Sequence, residues 1–382
     1  MTAPFNYGSL AIFPEFTNRK DETEKLIQNF SNGINTILLS PRRWGKSSLV
    51  THVAGIMDAK KEAVYRFCFI DLFNVRTEEE FYVQYATALI KATSGKWEEI
   101  VKNAGRFFKH IVPQVKISPD AINDVEFEFD WKSIKKSPDE ILNLAEKISK
   151  DKKIRLIVCI DEFQNISFFN DPIGFQKKLR SHWQKHQLSA YCLYGSKRHM
   201  LMDFFTRPSM PFYKFGDIMF LEKIREEYWI PFIIQRFKDT GKRIDADQSA
   251  SIARYVKNHP YFVQQLAQAS WFRTTKVCTQ AIIDGALNDL ILQHGILFQR
   301  EVDLLTNPQL NYLKAVCDGV KQYSSAKILQ EYSLGTSANV LRIRAALENK
   351  EIIDTIGPEI EILDPLFEYW LKRIYFVNYH TS

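Results

Sequence analysis

The stretch from Asn35 to Val50, NTILLSPRRWGKSSLV, limits the fold of this chain more than any other. An apolar run of strand character, Thr36 to Leu39, enters a short loop that closes on GKSS and then becomes apolar again with helical character. This order of strand, loop, GK[ST] and helix is typical of a phosphate-binding loop. A chance GKSS triplet is the alternative, and the flanking strand and helix argue against it.

The residue types of the loop suit phosphate chemistry. A helix N-terminus presents unpaired N–H groups and a partial positive charge, which hold phosphate oxygens. Gly45 lets the backbone approach, Lys46 would reach the β- and γ-phosphates, and the Ser47 hydroxyl would ligate Mg²⁺. The predicted nucleotide-binding residues of the loop are Pro41, Arg42, Arg43, Trp44, Gly45, Lys46, Ser47 and Ser48.

Ser40 departs from the usual pattern G-x-x-x-x-G-K-[ST], because it stands where the first glycine is expected. If that position required a positive φ, serine would cost about 1 kcal/mol. A loop held by its ligand tolerates a cost of that size.

Length and composition exclude several classes of protein. The 382 residues suffice for two or three domains, and 45% hydrophobic with 25% charged residues is ordinary for a globular protein. No long uninterrupted apolar run predicts a membrane span, and the N-terminus lacks a secretory pattern, so we expect a cytoplasmic protein. The five scattered cysteines support neither a disulfide scaffold nor a zinc site. A net charge of +6 permits nucleic-acid contact without requiring it.

Helices and strands alternate before residue 225. We expect a helix from Phe16 to Phe30, a buried strand within Ala63 to Val75, and a helix capped by Thr77. The region Gly95 to Pro138 departs from this rhythm, since VKIS and VEFEFDW have the alternation of a β-hairpin. It is an insertion that packs over the core or meets a partner, or simply a local structural hairpin.

A second motif follows the apolar strand Ile154 to Ile160, which ends in Asp161-Glu162-Phe163-Gln164. In this Walker B pattern Asp161 would hold Mg²⁺ and Glu162 would accept a proton from the attacking water. A strand-end Asp-Glu is often only an exposed turn. Its position after GKSS, among alternating strands and helices, favours the site.

The next strand, SAYCLYGS, ends at Ser196, which either senses the γ-phosphate or caps the following helix. Arg198 and Arg207 are candidates for transition-state charge stabilisation, with ordinary surface arginines as the alternative. The last strand of this region is predicted from Ile218 to Ile224.

From Arg225 onward the pattern changes to helices, as in a lid that folds over a nucleotide. Pro260 and Tyr261 could touch the adenine or ribose, and simple packing is the alternative. From Asn307, three helices followed by apolar strands around Gly357-Pro358 predict a winged helix. Its third helix offers Ser337, Asn339, Arg342 and Arg344 to a DNA major groove, although such domains also contact proteins.

These motifs together resemble one family. With SPRRWGKSSL, IDEFQ, YGS, NHPYFVQQLA and DPLFEYWLKRIY in order, nearly the whole chain is similar to the archaeal-type ATPases, a branch of the STAND group within the AAA+ class that has bacterial members; a bacterial member is expected here. The resemblance implies an α/β fold: a P-loop NTPase parallel sheet in residues 1–224 with the insertion at about 95–138, a helical lid in 225–305, and a winged helix domain in 306–382.

Carried over by motif, the resemblance gives roles to individual residues. Lys46 and Ser47 would bind phosphate and Mg²⁺, Asp161 and Glu162 would serve metal and water, and Gln164 would hold water or the γ-phosphate. The segment FTNR, Phe16 to Arg19, stands in place of the family's F-x-G-R near the adenine. The predicted catalytic residues are Lys46, Glu162, Gln164 and Ser196; the predicted metal ligands are Ser47 and Asp161.

The leading functional hypothesis is therefore a slow, Mg²⁺-dependent ATPase that acts as a nucleotide-controlled signalling or regulatory switch. Its cofactors would be ATP or ADP and Mg²⁺, and its partner a protein, with DNA as a further option through the winged helix and no membrane. Two alternatives stay open: a DNA-binding regulator, or a protein scaffold, in which bound nucleotide is structural.

Overall fold

The computed structural model describes residues 3–10, 16–59, 65–95, 99, 103, 115–119, 125–129, 138–356 and 359–378. The chain divides into two compact units. The α/β unit comprises Arg19–Arg42 and Lys46–Leu221, and the helical unit comprises Met1–Asn18, Arg43–Gly45 and Glu222–Ser382. Three residues of the predicted phosphate loop are thus grouped with the helical unit.

A parallel sheet forms the centre of the α/β unit, with strand order β2-β5-β6-β1-β7. Its strands are β1 (Thr36–Leu39), β2 (Tyr65–Asp71), β5 (Arg155–Asp161), β6 (Ser189–Gly195) and β7 (Asp217–Phe220). The helices around it are α1 (Lys20–Ser31), α2 (Lys46–Ala59), α3 (Glu78–Ala92), α4 (Pro138–Leu142), α5 (Leu144–Lys152), α6 (Pro172–Trp183) and α7 (Arg198–Thr206), with a 3₁₀ helix at Phe163–Phe168. The predicted α/β class is confirmed.

The sheet register brings the predicted motifs to one edge. All residues of β1 and β6 are buried, as expected for strands covered on both faces. Leu39 pairs with Gly195 across β1 and β6, and Asp71 pairs with Asp161 across β2 and β5. Because β6 lies between β1 and β5, Ser196 leaves the sheet between the phosphate loop and Asp161.

The first helix begins later than predicted. Asn18 and Arg19 have left-handed backbones, with φ of 56° and 66°, so α1 starts at Lys20 and the predicted start at Phe16 is wrong. Asparagine tolerates this conformation better than most residues. Asn18 can therefore stand where the similar family has glycine in F-x-G-R.

Two other boundaries in the α/β unit are informative. Strands β3 (Val115–Pro119) and β4 (Val125–Phe129) pair antiparallel, which confirms the predicted hairpin; most of the rest of the insertion lies outside the described residues. Strand β7 ends at Phe220 rather than Ile224. Leu221 donates one last backbone hydrogen bond to Leu39 before the chain leaves the sheet.

The helical unit begins with the helices that were predicted as a lid: α8 (Glu226–Asp239), α9 (Ala246–Tyr255), α10 (Pro260–Arg273) and α11 (Gln280–Asp303). Among the described residues, α11 alone is long and apolar enough to cross a membrane by length and composition, although no such span was predicted. One face of α11, including Ile283, Leu287 and Ile291, packs into the core of the unit. Core helices of globular proteins meet the same criteria.

The C-terminal part has the predicted winged helix order. It consists of α12 (Asn307–Cys317), α13 (Ala326–Glu331), α14 (Ser337–Asn349) and the short antiparallel strands β8 (Ile353–Asp354) and β9 (Glu361–Ile362). Thr336 caps α14 by accepting a bond from the Asn339 N–H, as predicted.

The predicted strands around Gly357-Pro358 are the two short strands β8 and β9, and the chain turns helical after them. Helix α15 (Pro365–Trp370) follows, continued by a π-helical turn (Leu371–Tyr375) and α16 (Phe376–Asn378). The Asp364 carboxylate caps α15 by accepting bonds from the Leu366 and Phe367 N–H groups, and Pro365 occupies its first turn. This Asp-Pro pair was a helix-start signal in the sequence.

Candidate functional site

In the loop between β1 and α2, the left-handed backbone conformations are not at the position where the usual motif has its first glycine. Ser40, where the first glycine of the usual pattern would stand, does not have a positive φ. Left-handed backbones occur instead at Arg43, with φ of 63°, and at Gly45, with φ of 88°. Such conformations cost a non-glycine residue roughly 1–3 kcal/mol and concentrate at functional sites.

Lys46 begins α2 and is almost completely buried. Its ammonium group donates to the Ser40 carbonyl at 3.1 Å, to the Ser40 hydroxyl at 3.3 Å and to the Pro41 carbonyl at 2.9 Å. These bonds offset the cost of burying a charge. Ser40 therefore has a role that glycine could not fill, because its hydroxyl accepts a bond from the predicted phosphate-binding lysine.

The two predicted motifs meet at Ser47 and Asp161. The Ser47 hydroxyl donates to Asp161 Oδ2 at 2.7 Å, across 114 positions of sequence, and the Glu162 N–H donates to Asp161 Oδ1 at 2.8 Å. Burial raises the pKa of Asp161; the hydrogen bonds from Ser47 and the Glu162 N–H, and then the charge of Lys46, act in the opposite direction.

The donor set at this point suits Mg²⁺. Serine hydroxyl and carboxylate oxygens are hard ligands, and Mg²⁺ in nucleotide sites takes few protein ligands because phosphates and water supply the others. No cluster of three or more His, Cys, Asp or Glu with metal-binding geometry occurs in the described part of the chain. Ser47 and Asp161 therefore fit a magnesium ion shared with a phosphate better than a metal held by protein alone.

Glu162 is held in position by its neighbours on β6 and the 3₁₀ helix. Its Oε2 accepts bonds from the Ser196 hydroxyl at 3.0 Å, the Ser196 N–H at 3.4 Å and the Gln164 side-chain amide. Its backbone is left-handed, with φ of 50°. Ser196 does not cap the next helix, because the N-cap of α7 is Lys197. Three of the predicted catalytic residues, Glu162, Gln164 and Ser196, thus form one hydrogen-bonded group.

Gly195 makes this group possible. Gln164 is 1% exposed, and a Cβ at position 195 would overlap its Oε1 and approach the Glu162 Cα to 3.2 Å. No described residue bonds the buried Gln164 Oε1. Any larger side chain at 195 would therefore displace Gln164 from Glu162.

Two polar residues at the same edge of the sheet were not predicted as site residues. Asp71 ends β2 and pairs in register with Asp161. Asn165 donates to the Leu72 carbonyl at 2.9 Å and so ties the 3₁₀ helix to the end of β2. The signal for Asp71 was present, because the strands FCFID and IVCID both end in aspartate.

The remaining loop residues make their contacts within the helical unit. The Arg43 guanidinium lies 4.6 Å from the centroid of the Tyr261 ring, and the Trp44 ring meets His259 edge-on with centroids 6.1 Å apart. Pro260 is buried in the first turn of α10. Arg42 is exposed and Ser48 is buried in α2.

The two arginines predicted as charge stabilisers have different surroundings. Arg198 lies over the Phe220 ring at 5.9 Å. Arg207 is 63% exposed and forms an ion pair with Asp203 at 2.7 Å, as an ordinary surface arginine does.

Helix α14 of the winged helix presents fewer groove-reading side chains than predicted. The Asn339 amide donates to the Leu334 carbonyl at 2.8 Å, and the Arg344 guanidinium donates to the Thr355 carbonyl at 3.1 Å. Only Ser337 and Arg342 of the predicted four are fully exposed. Two of the four therefore serve the domain itself.

Comparisons with known proteins agree with this architecture. Residues 296–373 match a family model described as "Probable winged helix domain". No curated protein matches the chain in sequence.

Solved structures resemble the chain over almost its full length. The Walker-type ATPase PABY2304 of Pyrococcus abyssi is 17% identical, with 97% of this chain and 99% of that chain covered and a TM-score of 0.65. The Aeropyrum pernix ORC2 protein, solved as ADPNP-ADP complexes, is 14% identical, with 99% and 98% covered and a TM-score of 0.57. The fold is that of a P-loop ATPase with a C-terminal winged helix domain.

Proposed function

We propose that this chain is a Mg²⁺-dependent ATPase that acts as a nucleotide-controlled switch, as in the STAND group of the AAA+ class. The observation that carries the proposal is the 2.7 Å bond between Ser47 and Asp161, which joins the GKSS motif to the strand-end aspartate. Two similar structures support it: one is a Walker-type ATPase, and the other was solved as complexes with ADPNP and ADP.

Each residue of the site has a chemical role in this proposal. Lys46 and the N-terminus of α2 bind the phosphates of the nucleotide, while Ser47 and Asp161 hold Mg²⁺. The metal ion neutralises charge on the phosphates. Glu162 accepts the proton of the attacking water, and its carboxylate is oriented for this by Ser196 and Gln164.

The proposed organisation keeps an ATPase domain at residues 1–224, a lid at 225–305 and a winged helix domain at 306–382. The division of compact units after Leu221 and the family match at 296–373 support these limits approximately. All five cysteines are free, which is consistent with the proposed cytoplasmic location. Arg43 and Tyr261, which contact one another, are the proposed side chains through which the nucleotide state reaches the helical unit.

The test is phosphate release from ATP with Mg²⁺, together with ATP affinity, for the native chain and Glu162→Gln. Glu140→Gln, an exposed glutamate elsewhere in the α/β unit, is the matched control. We expect Glu162→Gln to bind ATP normally and to lose turnover by about 10²–10⁴-fold, as when a general base is removed. Equal turnover in both variants would remove Glu162 from the mechanism, and an absence of ATP binding would refute the proposal.

A DNA-binding regulator is the second candidate, favoured by the winged helix match at residues 296–373. Charge argues against it, because residues 306–382 contain eight Lys and Arg against nine Asp and Glu. Binding to phosphate backbones requires a positive surface and weakens steeply with salt. A protein partner therefore suits this domain better. Salt-dependent binding of a labelled DNA duplex that is lost in Arg342→Ala would reverse this preference.

A scaffold that retains ADP is the remaining alternative. It predicts nucleotide that co-purifies with the chain and no turnover in the native protein. Mass analysis of the nucleotide released on denaturation, together with the phosphate-release assay, separates it from the ATPase.

A further inference from the structure

The winged helix domain contains an open cavity of about 320 Å³ that the proposed ATPase function does not use. It lies between α12, the connection from α12 to α13, α14 and the residue before β9. Ligand pockets in proteins begin at about 300 Å³, so the cavity has room for a small organic molecule.

Tyr312, one of the residues that line this cavity, has a buried hydroxyl with no partner among the described residues. Tyr312 on α12 is completely buried, and no described residue forms a hydrogen bond with its OH group. A buried donor that bonds nothing is costly, and most such groups in proteins are satisfied by some partner. A ligand in the cavity would supply the missing acceptor.

The charge of the lining is positive. Arg344 is the charged residue among the described lining residues, and a guanidinium has five N–H donors, of which Thr355 engages one. Burial raises the pKa of Tyr312, Tyr323 adds to this effect, and the charge of Arg344 opposes it. Burial likewise raises the pKa of Tyr323 to about 12, helped by Cys317 and the charge of Glu359 and opposed by the charge of Arg344.

The rest of the lining combines the polar Gln322, Ser324 and Ser325 with a larger apolar part. The rings of Tyr312 and Tyr323 pack with centroids 4.8 Å apart and planes inclined by 31°. Val340 and Leu341 of α14 and Ile360 complete the apolar surface. Such a surface favours a planar hydrophobic group, since aromatic rings gain from contact with one another beyond simple burial.

From this combination we propose that the cavity binds a small aromatic carboxylate. Its carboxylate accepts hydrogen bonds from the Arg344 guanidinium and the Tyr312 hydroxyl, and its ring lies against Tyr323 and Val340. Because Arg344 and Val340 belong to α14, the ligand contacts the helix that also exposes Ser337 and Arg342. The site adds an input to the winged helix domain that is independent of nucleotide.

The probe for this proposal is 2-naphthoate, titrated calorimetrically into the full chain. We expect saturable binding to the native protein and binding about tenfold weaker to Tyr312→Phe, the loss expected when one hydrogen bond to a charged group is removed. The melting temperature of Tyr312→Phe should not fall, because the hydroxyl has no partner among the described residues.

Two controls separate recognition from general stickiness. Tyr332→Phe removes a hydroxyl that donates to Asp318 at 2.9 Å outside the cavity, and it should bind 2-naphthoate as the native chain does. The uncharged analogue 2-naphthylmethanol should bind the native chain more weakly than the carboxylate. No saturation with 2-naphthoate, equal affinity of native and Tyr312→Phe, or equal affinity of acid and alcohol would each overturn the proposal.

Discussion

Two regions were expected to carry function: the carboxyl edge of the sheet in the α/β unit and the outer face of α14 in the winged helix. At the sheet edge the predicted polar side chains meet, Ser47 with Asp161 and Glu162 with Ser196. On α14, Asn339 and Arg344 bond to the domain's own carbonyl groups instead. Strand ends therefore place their residues reliably, whereas the side chains on the exposed face of a short helix depend on what packs beside it.

The largest effect is expected from Asp161→Asn. It removes the proposed metal ligand while it keeps the size of the side chain, so turnover should fall on the order of a hundredfold or more. Stability should hold, because burial raises the pKa of Asp161 and the neutral amide avoids that cost. Phosphate release over a range of Mg²⁺ concentrations checks the first expectation and thermal melting the second.

Asp58→Asn is the control for that experiment, since Asp58 is an exposed aspartate whose ion pair with Arg66 spans 3.4 Å. If Asp161→Asn turned over ATP as fast as Asp58→Asn, the contact between Ser47 and Asp161 at the sheet edge would have no role in catalysis.

The next effect concerns the pH dependence of stability. Burial lowers the pKa of His259 from 6.5 to about 3, so between these pH values the unfolded chain binds a proton that the folded chain does not. Stability therefore falls as the pH is lowered from 7 to 4, by at most roughly 3 kcal/mol from this group. His259→Asn, which keeps a good N-cap for α10, should flatten this part of the profile.

His186 in the α/β unit provides the matched comparison, because burial lowers its pKa to about 4. His186→Asn should flatten the profile less than His259→Asn does. The test is to measure the melting temperatures of the native chain and of the two variants from pH 4 to pH 7. If the three curves of melting temperature against pH ran parallel, these histidines would not cause the loss of stability at low pH.

Gly195→Ala tests the geometry of the sheet edge itself. The added methyl group would overlap Gln164, so we expect a loss of roughly 1–3 kcal/mol in the free energy of unfolding, with reduced turnover as Glu162 loses its neighbour. Gly55→Ala is the control, because a Cβ there meets nothing within 4 Å and the change favours helix α2 by up to about 1 kcal/mol. Denaturant unfolding measures the free energy of unfolding of both variants. Equal values would show that Gly195 is not required for the packing of Gln164.

The smallest effect separates the two kinds of residue on α14. Asn339→Ala should lower the free energy of unfolding by about 1 kcal/mol, because the Leu334 carbonyl loses its donor. Arg342→Ala, on the exposed face, should stay within about 0.5 kcal/mol of the native chain. If the two variants were equally stable, Asn339 would be available for recognition after all.

Much of the α/β unit could be predicted from sequence alone. Strand β5 is a continuous apolar run that ends in Asp-Glu, and the strand–loop–helix order around GKSS is specific. The fold class and the winged helix order followed from such local patterns. The start of α1 could not be predicted, because the amphipathic pattern extends back to Phe16. The helix starts only at Lys20 because Asn18 and Arg19 have left-handed backbones.

The winged helix shows the limit of local patterns more clearly. The Asp364-Pro365 pair signals the start of α15 in the sequence, but the burial of Leu366 and Phe367 in the core of the helical unit is a feature of the fold alone. Arg344 looks like a groove-reading residue in sequence. Its bond to Thr355 depends on the fold of the wing, which no local pattern contains.

Motif and strand pattern alone were enough to select Lys46, Ser47, Asp161 and Glu162 as candidates for phosphate chemistry. The tertiary structure decided their arrangement. The order β5-β6-β1 puts the end of β6 between the two motifs, so that Ser196 and Gln164 reach Glu162. This arrangement could not be predicted from the motifs, because strand order and register arise from packing between distant segments. A motif reflects only what its own backbone and side chains require locally.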